Sequence, residues 1–346
     1  MSYLLPYHIT NTIIHFIAEI SELVGRITIE SESPISPHLR KNNKIRTIHS
    51  SLAIENNSLS LEQMTDIIDG KRVFGTPHEI CEVKNAFETY NHLFSFDPFQ
   101  MNDLLRAHRM LMSELTDELG QFRSGGVGVF AGSEIVHIAP PAHLVHEHIR
   151  NLLDWVKNAE EHPLIKSCVF HYEFEFIHPF ADGNGRMGRM WQTLLLSHWK
   201  PVFQWLPVES IIHERQLEYY KVLNASDRLA DSTVFIEFML TIIRDVLHDL
   251  IQTDQVTDQV TEQVQRLLYV LGNETLSAKE LLERLELKHR PTFMKTYVRP
   301  ALELGLLEMT VPDKPRSNKQ KYRAIKKMMH SVFVFFGRYL QGIDNM

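Results

Sequence analysis

The chain has 346 residues, 44% of them hydrophobic and 23% charged, and a formal net charge of −7. That length can bury a sizeable core in two or three domains, and the negative balance excludes a global field drawing the chain to nucleic acid or anionic membrane. Cys81 and Cys168 cannot form a disulfide framework, Met1 to Pro6 lack a basic n-region, and no apolar run spans a bilayer, so a cytoplasmic setting is expected.

Apolar residues at three- and four-residue steps predict an amphipathic helix over Ile9 to Ile27. Ser51-Leu52-Ala53-Ile54-Glu55-Asn56 reads by itself as a helix end with a solvated glutamate. Ser60 to Gln63 and Thr76 to Glu79 are capping boxes, the second with Pro77 in the first helical position, and Asp69-Gly70 ends the helix between them. Pro77 to Phe94 and Met101 to Leu115 read as further helices. Phe122 to Val129 and Ile135 to Ile138 flank Ala131-Gly132-Ser133 and predict a hairpin closed by Pro140-Pro141. His143 to Lys157 is a helix whose buried stripe is expected at Leu144, His148, Leu152 and Trp155. Pro163 to Ile177 and Arg186 to His198 flank a glycine-rich loop, and only Tyr172 to Phe176 alternates like a strand there.

After Leu250 the texture changes. Thr253 to Val256, Thr257 to Val260 and Thr261 to Val264 are three copies of one tetrad, read as a helical linker, with a partner-binding stripe as the alternative. Ser277 opens a helix, Pro291 starts another, and Gly305 to Met309 begins a strand; helix, turn, helix and a two-stranded wing describe a winged helix. Lys314 to Lys327 holds seven Lys or Arg and no acid, a charge that suits a DNA backbone, although such domains also bind proteins.

The densest chemistry lies in residues 178–189, His-Pro-Phe-Ala-Asp-Gly-Asn-Gly-Arg-Met-Gly-Arg. Glycines let a backbone approach an anion, arginines fork onto phosphate oxygens, a carboxylate can hold Mg²⁺, and a histidine can take a proton. Gly183 to Gly188 also fits the dinucleotide-binding G-x-G-x-x-G, but Pro179 and Asp182 interrupt the strand that fingerprint needs. A Gly-rich connection between helices accounts for the glycines and not for the company they keep.

His178 to Arg189 resembles, at every fixed position, the H-x-F-x-[DE]-G-N-G-R-x-x-R signature of the Fic family. Ser51 to Asn56 is similar to that family's [ST]-x-x-x-E-[GN] inhibitory motif. The resemblance implies a mainly α fold, a Fic-type helical bundle with a β-hairpin flap, and places a helix where Tyr172 to Phe176 alternate. With the C-terminal winged helix, the expected divisions are 1–95, a helical region carrying the inhibitory motif; 96–250, the catalytic core; 251–264, the linker; and 265–346.

The implied activity is transfer of AMP from ATP, with Mg²⁺, to a hydroxyl of a protein target or of the chain itself. The implied roles follow by position. His178 is the base, Asp182 the metal ligand, and Gly183, Asn184, Gly185, Arg186, Met187, Gly188 and Arg189 bind ATP, the two arginines clamping its phosphates. Tyr219 and Tyr220 line the adenine pocket or, equally, fill the core. Val136, His137 and Ile138 belong to the flap that docks the target. Glu55, with Ser51 and Asn56, inhibits by competing for Arg189. A deadenylylase and a DNA-binding regulator with a nucleotide-sensing Fic fold stay as alternatives. The sequence leaves a homodimer open.

Overall fold

The structure, a computed structural model, describes residues 5–30, 37–131, 134–259, 261–272, 274–314, 317 and 319–325. It divides into two compact units, Met1–Ile35 with Arg40–His248, and Asp249–Met346 with Ser36–Leu39.

The first unit opens with α1 (Asn11–Glu30) and takes α2 (Pro37–Ile54) from Arg40 onward, and the Ser51 to Asn56 motif ends α2. In α3 (Leu61–Ile68) and α4 (Pro77–Asn91) both expected capping boxes form: the Ser60 and Thr76 hydroxyls accept from the backbone of Gln63 and Glu79, whose side chains reach back. Glu79 also accepts from Ser58, and these hydrogen bonds hold its carboxyl down at about 2. A short 3₁₀ turn, Leu93–Ser95, replaces the last turn expected of α4. The next helix, α5 (Met101–Leu111), stops before Leu115, because Glu114 takes a left-handed φ of 61° that no α-helix continues.

Strands β1 (Gly128–Ala131) and β2 (Glu134–Ile138) pair antiparallel, with a register shift between Val129 and Phe130. Gly132, Ser133 and the side chains of Val136, His137 and Ile138 lie outside the described residues. In α6 (Ala142–Asn158) the buried face is Val145, Ile149, Leu152, Leu153 and Val156. Of the expected stripe only Leu152 is buried. Two apolar stripes one residue apart share the helical period, and packing against the neighbouring helix selects between them.

The central helices are α7 (Pro163–Ile177) and α8 (Asn184–Trp199). Tyr172 to Phe176 are helical, and α7 is buried on several sides, which is why its hydrophobic residues show no single stripe. Around them lie a 3₁₀ turn at Pro201–Trp205, α9 (Val208–Glu214), α10 (Gln216–Leu229), which runs beside β2, and α11 (Thr233–Gln259).

The tetrads do not form one connection. The first and all but the last residue of the second belong to α11; Val260 lies outside the described residues. The third opens α12 (Glu262–Leu271), with Thr261 as its N-cap and Val264 fully buried in the second unit's core. That unit continues with β3 (Thr275–Ser277), α13 (Ala278–Arg284) capped by Ser277, and a helical run of α14 (Arg290–Phe293), a π turn and α15 (Arg299–Glu303). It closes with β4 (Leu307–Met309) and β5 (Lys321–Ala324). The two strands after the helices gain a third, in the order β3-β5-β4, all antiparallel. Arg316, Lys326 and Lys327 of the basic run lie outside the described residues, and no helix among the described residues is long and apolar enough to cross a membrane.

Candidate active site

Residues 178–189 leave α7, cross a tight loop and enter α8, so two buried helices place every polar group in the motif. His178 caps α7 in the left-handed conformation, φ 49° and ψ 61°, its N–H donating to Phe174 O at 2.9 Å. Such a conformation costs a non-glycine residue of order 1–3 kcal/mol and persists only where the surroundings over-determine it. The ring Nδ1 lies 3.4 Å from Glu175 O, an acceptor that favours the proton on Nδ1 and leaves Nε2 as the base.

Arg123, buried beneath the loop, supplies the determination. Its Nε donates to His178 O at 2.7 Å, and Nη2 to Ile177 O at 3.2 Å and Pro140 O at 2.6 Å. Its Nη1 donates to Gly125 O at 2.8 Å and its backbone N–H to Pro179 O at 2.9 Å. Nothing in the sequence around Arg123 signals this role.

Within the loop, Asn184 folds back. Its Oδ1 accepts from Phe180 N at 2.8 Å and its Nδ2 donates to Phe180 O at 2.9 Å, so the side chain pins the turn. Gly183 holds φ 82° as the N-cap of α8 with no side-chain cap, which leaves the first amides of α8 to an anion or water. Met187 is wholly buried in the core, and a Cβ at Gly188 would lie 2.9 Å from Glu175 Oε1 and 3.3 Å from Phe174, so that glycine lets α8 approach α7. Of the positions expected to bind ATP, the side chains of Asn184 and Met187 and the close approach at Gly188 are thereby engaged in building the loop and the helix pair.

His108, like Arg123, carries no signal of its role in the sequence. It stacks on Phe180 at 3.7 Å and accepts from Gly120 N at 3.1 Å through Nδ1, so its Nε2 carries the proton and donates to Asp182 O at 3.1 Å. Burial pushes its pKa down to about 4. An unfolded histidine titrates near 6.5, so between pH 6.5 and 4 the unfolded chain takes up a proton that the folded one refuses. The stability His108 contributes is complete above that window and lost as pH falls through it. His108→Gln should therefore flatten the pH dependence of unfolding by up to about 1.4 kcal/mol per pH unit between pH 6.5 and 4.5, read from urea melts. Parallel curves for the two proteins would show that His108 titrates normally.

The Asp182 carboxylate is more than half exposed; its Oδ1 accepts from Gly183 N at 2.6 Å and from Arg186 Nη2 at 3.3 Å. Arg186 donates through Nη1 to Glu82 Oε1 at 2.5 Å, and Glu82 Oε2 accepts from Asn57 at 2.8 Å. Arg186, expected from the motif to clamp phosphates, is thus held between two carboxylates. Among the described residues no three His, Cys, Asp or Glu side chains gather around a possible metal. One exposed carboxylate fits an ion that arrives with a polyphosphate and draws its other ligands from phosphate and water.

Arg189 is 2% exposed. Its Nε donates to Ser51 Oγ at 3.1 Å, and its Nη2 to Ser51 O at 3.0 Å and Glu55 Oε1 at 2.7 Å. Burial would lower its pKa, but the Glu55 charge, aided by Tyr219 and Glu175, outweighs that and raises it. Glu55 also lies against the start of α8, since a Cβ at Gly185 would collide with its Oε1. A carboxylate therefore sits where the positive end of α8 would draw an anion. Asn56 has φ 68°, so the glycine or asparagine at this motif position is a requirement of left-handed backbone.

Tyr219 and Tyr220 part company. Tyr219 is buried with its hydroxyl 3.0 Å from His171 Nε2, whereas Tyr220 is 46% exposed. Only Tyr220 remains available to line a pocket.

The Fic/DOC family profile matches residues 98–196, and that of the filamentation-induced-by-cAMP protein Fic-like C-terminal domain matches residues 262–324. A Fic family protein of known structure from Desulfovibrio desulfuricans G20 is 53% identical, aligned over 93% of this chain and 98% of that one with a TM-score of 0.71. The chain belongs to the Fic family. Fic-1 of Caenorhabditis elegans (residues 134–508) shares the Fic fold at 20% identity, with a TM-score of 0.57 over 71% of this chain and 72% of that one. Among curated relatives, the protein adenylyltransferase fic-1 of C. elegans is 28% identical over 206 residues, 56% of this chain and 38% of its own length. The protein adenylyltransferase Fic of Culex quinquefasciatus is 29% identical over 198 residues, 53% of this chain and 37% of its own. The Fic chain thus spans under two fifths of the length of these curated relatives.

Proposed function

We propose that this Fic protein transfers AMP from ATP to a hydroxyl of a protein target, itself included, and that Glu55 restrains the transfer. The observation that carries the reading is the complete motif on the α7–α8 turn, with His178 at one end of the loop and the uncapped start of α8 at the other. Relatives named as protein adenylyltransferases support the same chemistry.

In the step proposed, the target hydroxyl oxygen attacks the α-phosphorus. The bond from that phosphorus to the bridging oxygen breaks, and pyrophosphate leaves. His178 Nε2 takes the hydroxyl proton. The amides of Gly185 and its neighbours at the start of α8 bind phosphate oxygens, and Arg189, freed of Glu55, seats the outer phosphate. Mg²⁺ would neutralise charge on the polyphosphate; Asp182 would hold it, its carboxylate turned by Arg186. Val136, His137 and Ile138 would dock the target by strand addition. Incubation with α-labelled and γ-labelled ATP in parallel tests the reading: label on protein from the α-position alone supports it, and label from the γ-position points to a kinase. The free cysteines, Cys81 and Cys168, suit the reducing cytoplasm.

For the second unit the winged-helix reading carries a partner. Between Glu286 and Glu303 there is no acid, while Lys288, Arg290, Lys295 and Arg299 are all exposed, which favours duplex DNA over a protein. Four phosphate contacts predict roughly a hundredfold loss of affinity for a labelled duplex between 50 and 200 mM salt, followed by anisotropy on the full chain. Binding that ignores salt, or no binding, returns this unit to a protein partner.

A further inference from the structure

We infer that Arg123 is a positioning residue for the proposed reaction, fixing the base His178 and both ends of the β1–β2 hairpin to one buried group. The inference rests on the adenylyl-transfer reading. The Arg123 guanidinium donates to four main-chain oxygens. Two of those oxygens, of Ile177 and His178, are at the C-terminal end of α7, where helix carbonyls lack intrahelical donors and the dipole favours a cation. The other two flank the hairpin: Gly125 precedes β1 and Pro140 follows β2.

A guanidinium presents its donors in a rigid planar fork, so these oxygens cannot move independently. Lysine cannot replace it, because three donors on one nitrogen do not reach four carbonyls spread around the edge of a planar group. The left-handed His178 backbone is held on both sides, by its own N–H on Phe174 and by Arg123 on its carbonyl. A strand docked on the hairpin would thereby present its hydroxyl at a fixed distance from His178 Nε2. Proton abstraction needs that distance within about 2.6–3.2 Å, and a 1 Å misplacement can cost on the order of a hundredfold. By contrast, none of these four carbonyls belongs to α8, which carries Gly185 and Arg189.

The test places Arg123→Lys in the Glu55→Gly background, where transfer is expected to be highest. The expected result is a fall in kcat of at least about tenfold with the Kd for ATP within threefold. Amide hydrogen exchange should accelerate together in the β1–β2 strands and at the end of α7. In Arg123→Gly, added methylguanidinium should restore part of kcat. Unchanged kcat, ATP affinity falling in step with kcat, or faster exchange in the hairpin alone would each overturn the inference. If Glu55→Gly by itself transfers no AMP, the adenylyl-transfer reading fails instead, and the paired exchange response still decides whether Arg123 couples the hairpin to His178.

Discussion

Glu55→Gly is expected to raise AMP incorporation at least about tenfold, a change of about 1.4 kcal/mol in the barrier or in the productive fraction of bound ATP. Glu55 holds Arg189 at 2.7 Å and lies over the start of α8, so one carboxylate occupies two places that a polyphosphate would need. Removing it leaves the arginine anchored, because Ser51 accepts from it through both its hydroxyl and its carbonyl. The Glu55 side chain is 34% exposed, and solvent screening of such a pair makes tenfold a lower bound to test rather than the full worth of a buried bridge. Incorporation from α-labelled ATP measures the effect. A gain identifies Glu55 as a brake. Flat transfer with lost removal of AMP from a modified target would make it a catalytic group of the reverse reaction. No change in either direction would return Ser51 to Asn56 to a plain helix end.

His178→Ala should lower kcat by about 10²–10⁴, the usual contribution of a positioned base, with ATP affinity held within a few fold. The groups proposed to bind nucleotide, Gly185 and Arg189, lie across the loop on α8. Alanine must adopt the same left-handed backbone, φ 49°, so His178→Asn is the control: asparagine tolerates that region and supplies no base. Both variants should lose kcat to that extent, and only the alanine protein should lose appreciable stability. Transfer retained in either would remove His178 from the role of base.

The sequence by itself determined what acts within three or four residues. The capping boxes at Ser60 and Thr76 and the helix opened by Ser277 form as local rules require, since each partner is within one helical turn. Tertiary structure decided what those rules leave degenerate. It selected Val145 and Ile149 over Leu144 and His148, because two stripes fit one period and the neighbouring helix chooses. It buried Tyr219 and exposed Tyr220, which are equal in sequence. It turned Asn184, Met187 and Gly188 inward and left Gly185 and Arg189 facing Glu55. Above all it supplied the partners that lie far along the chain: Glu55 is 134 residues from Arg189, Glu82 is 104 from Arg186, and Arg123 is 55 from His178. Such pairs carry no local signature. Burial removes water from Glu82 and Arg123 and leaves each charge dependent on the group placed opposite it.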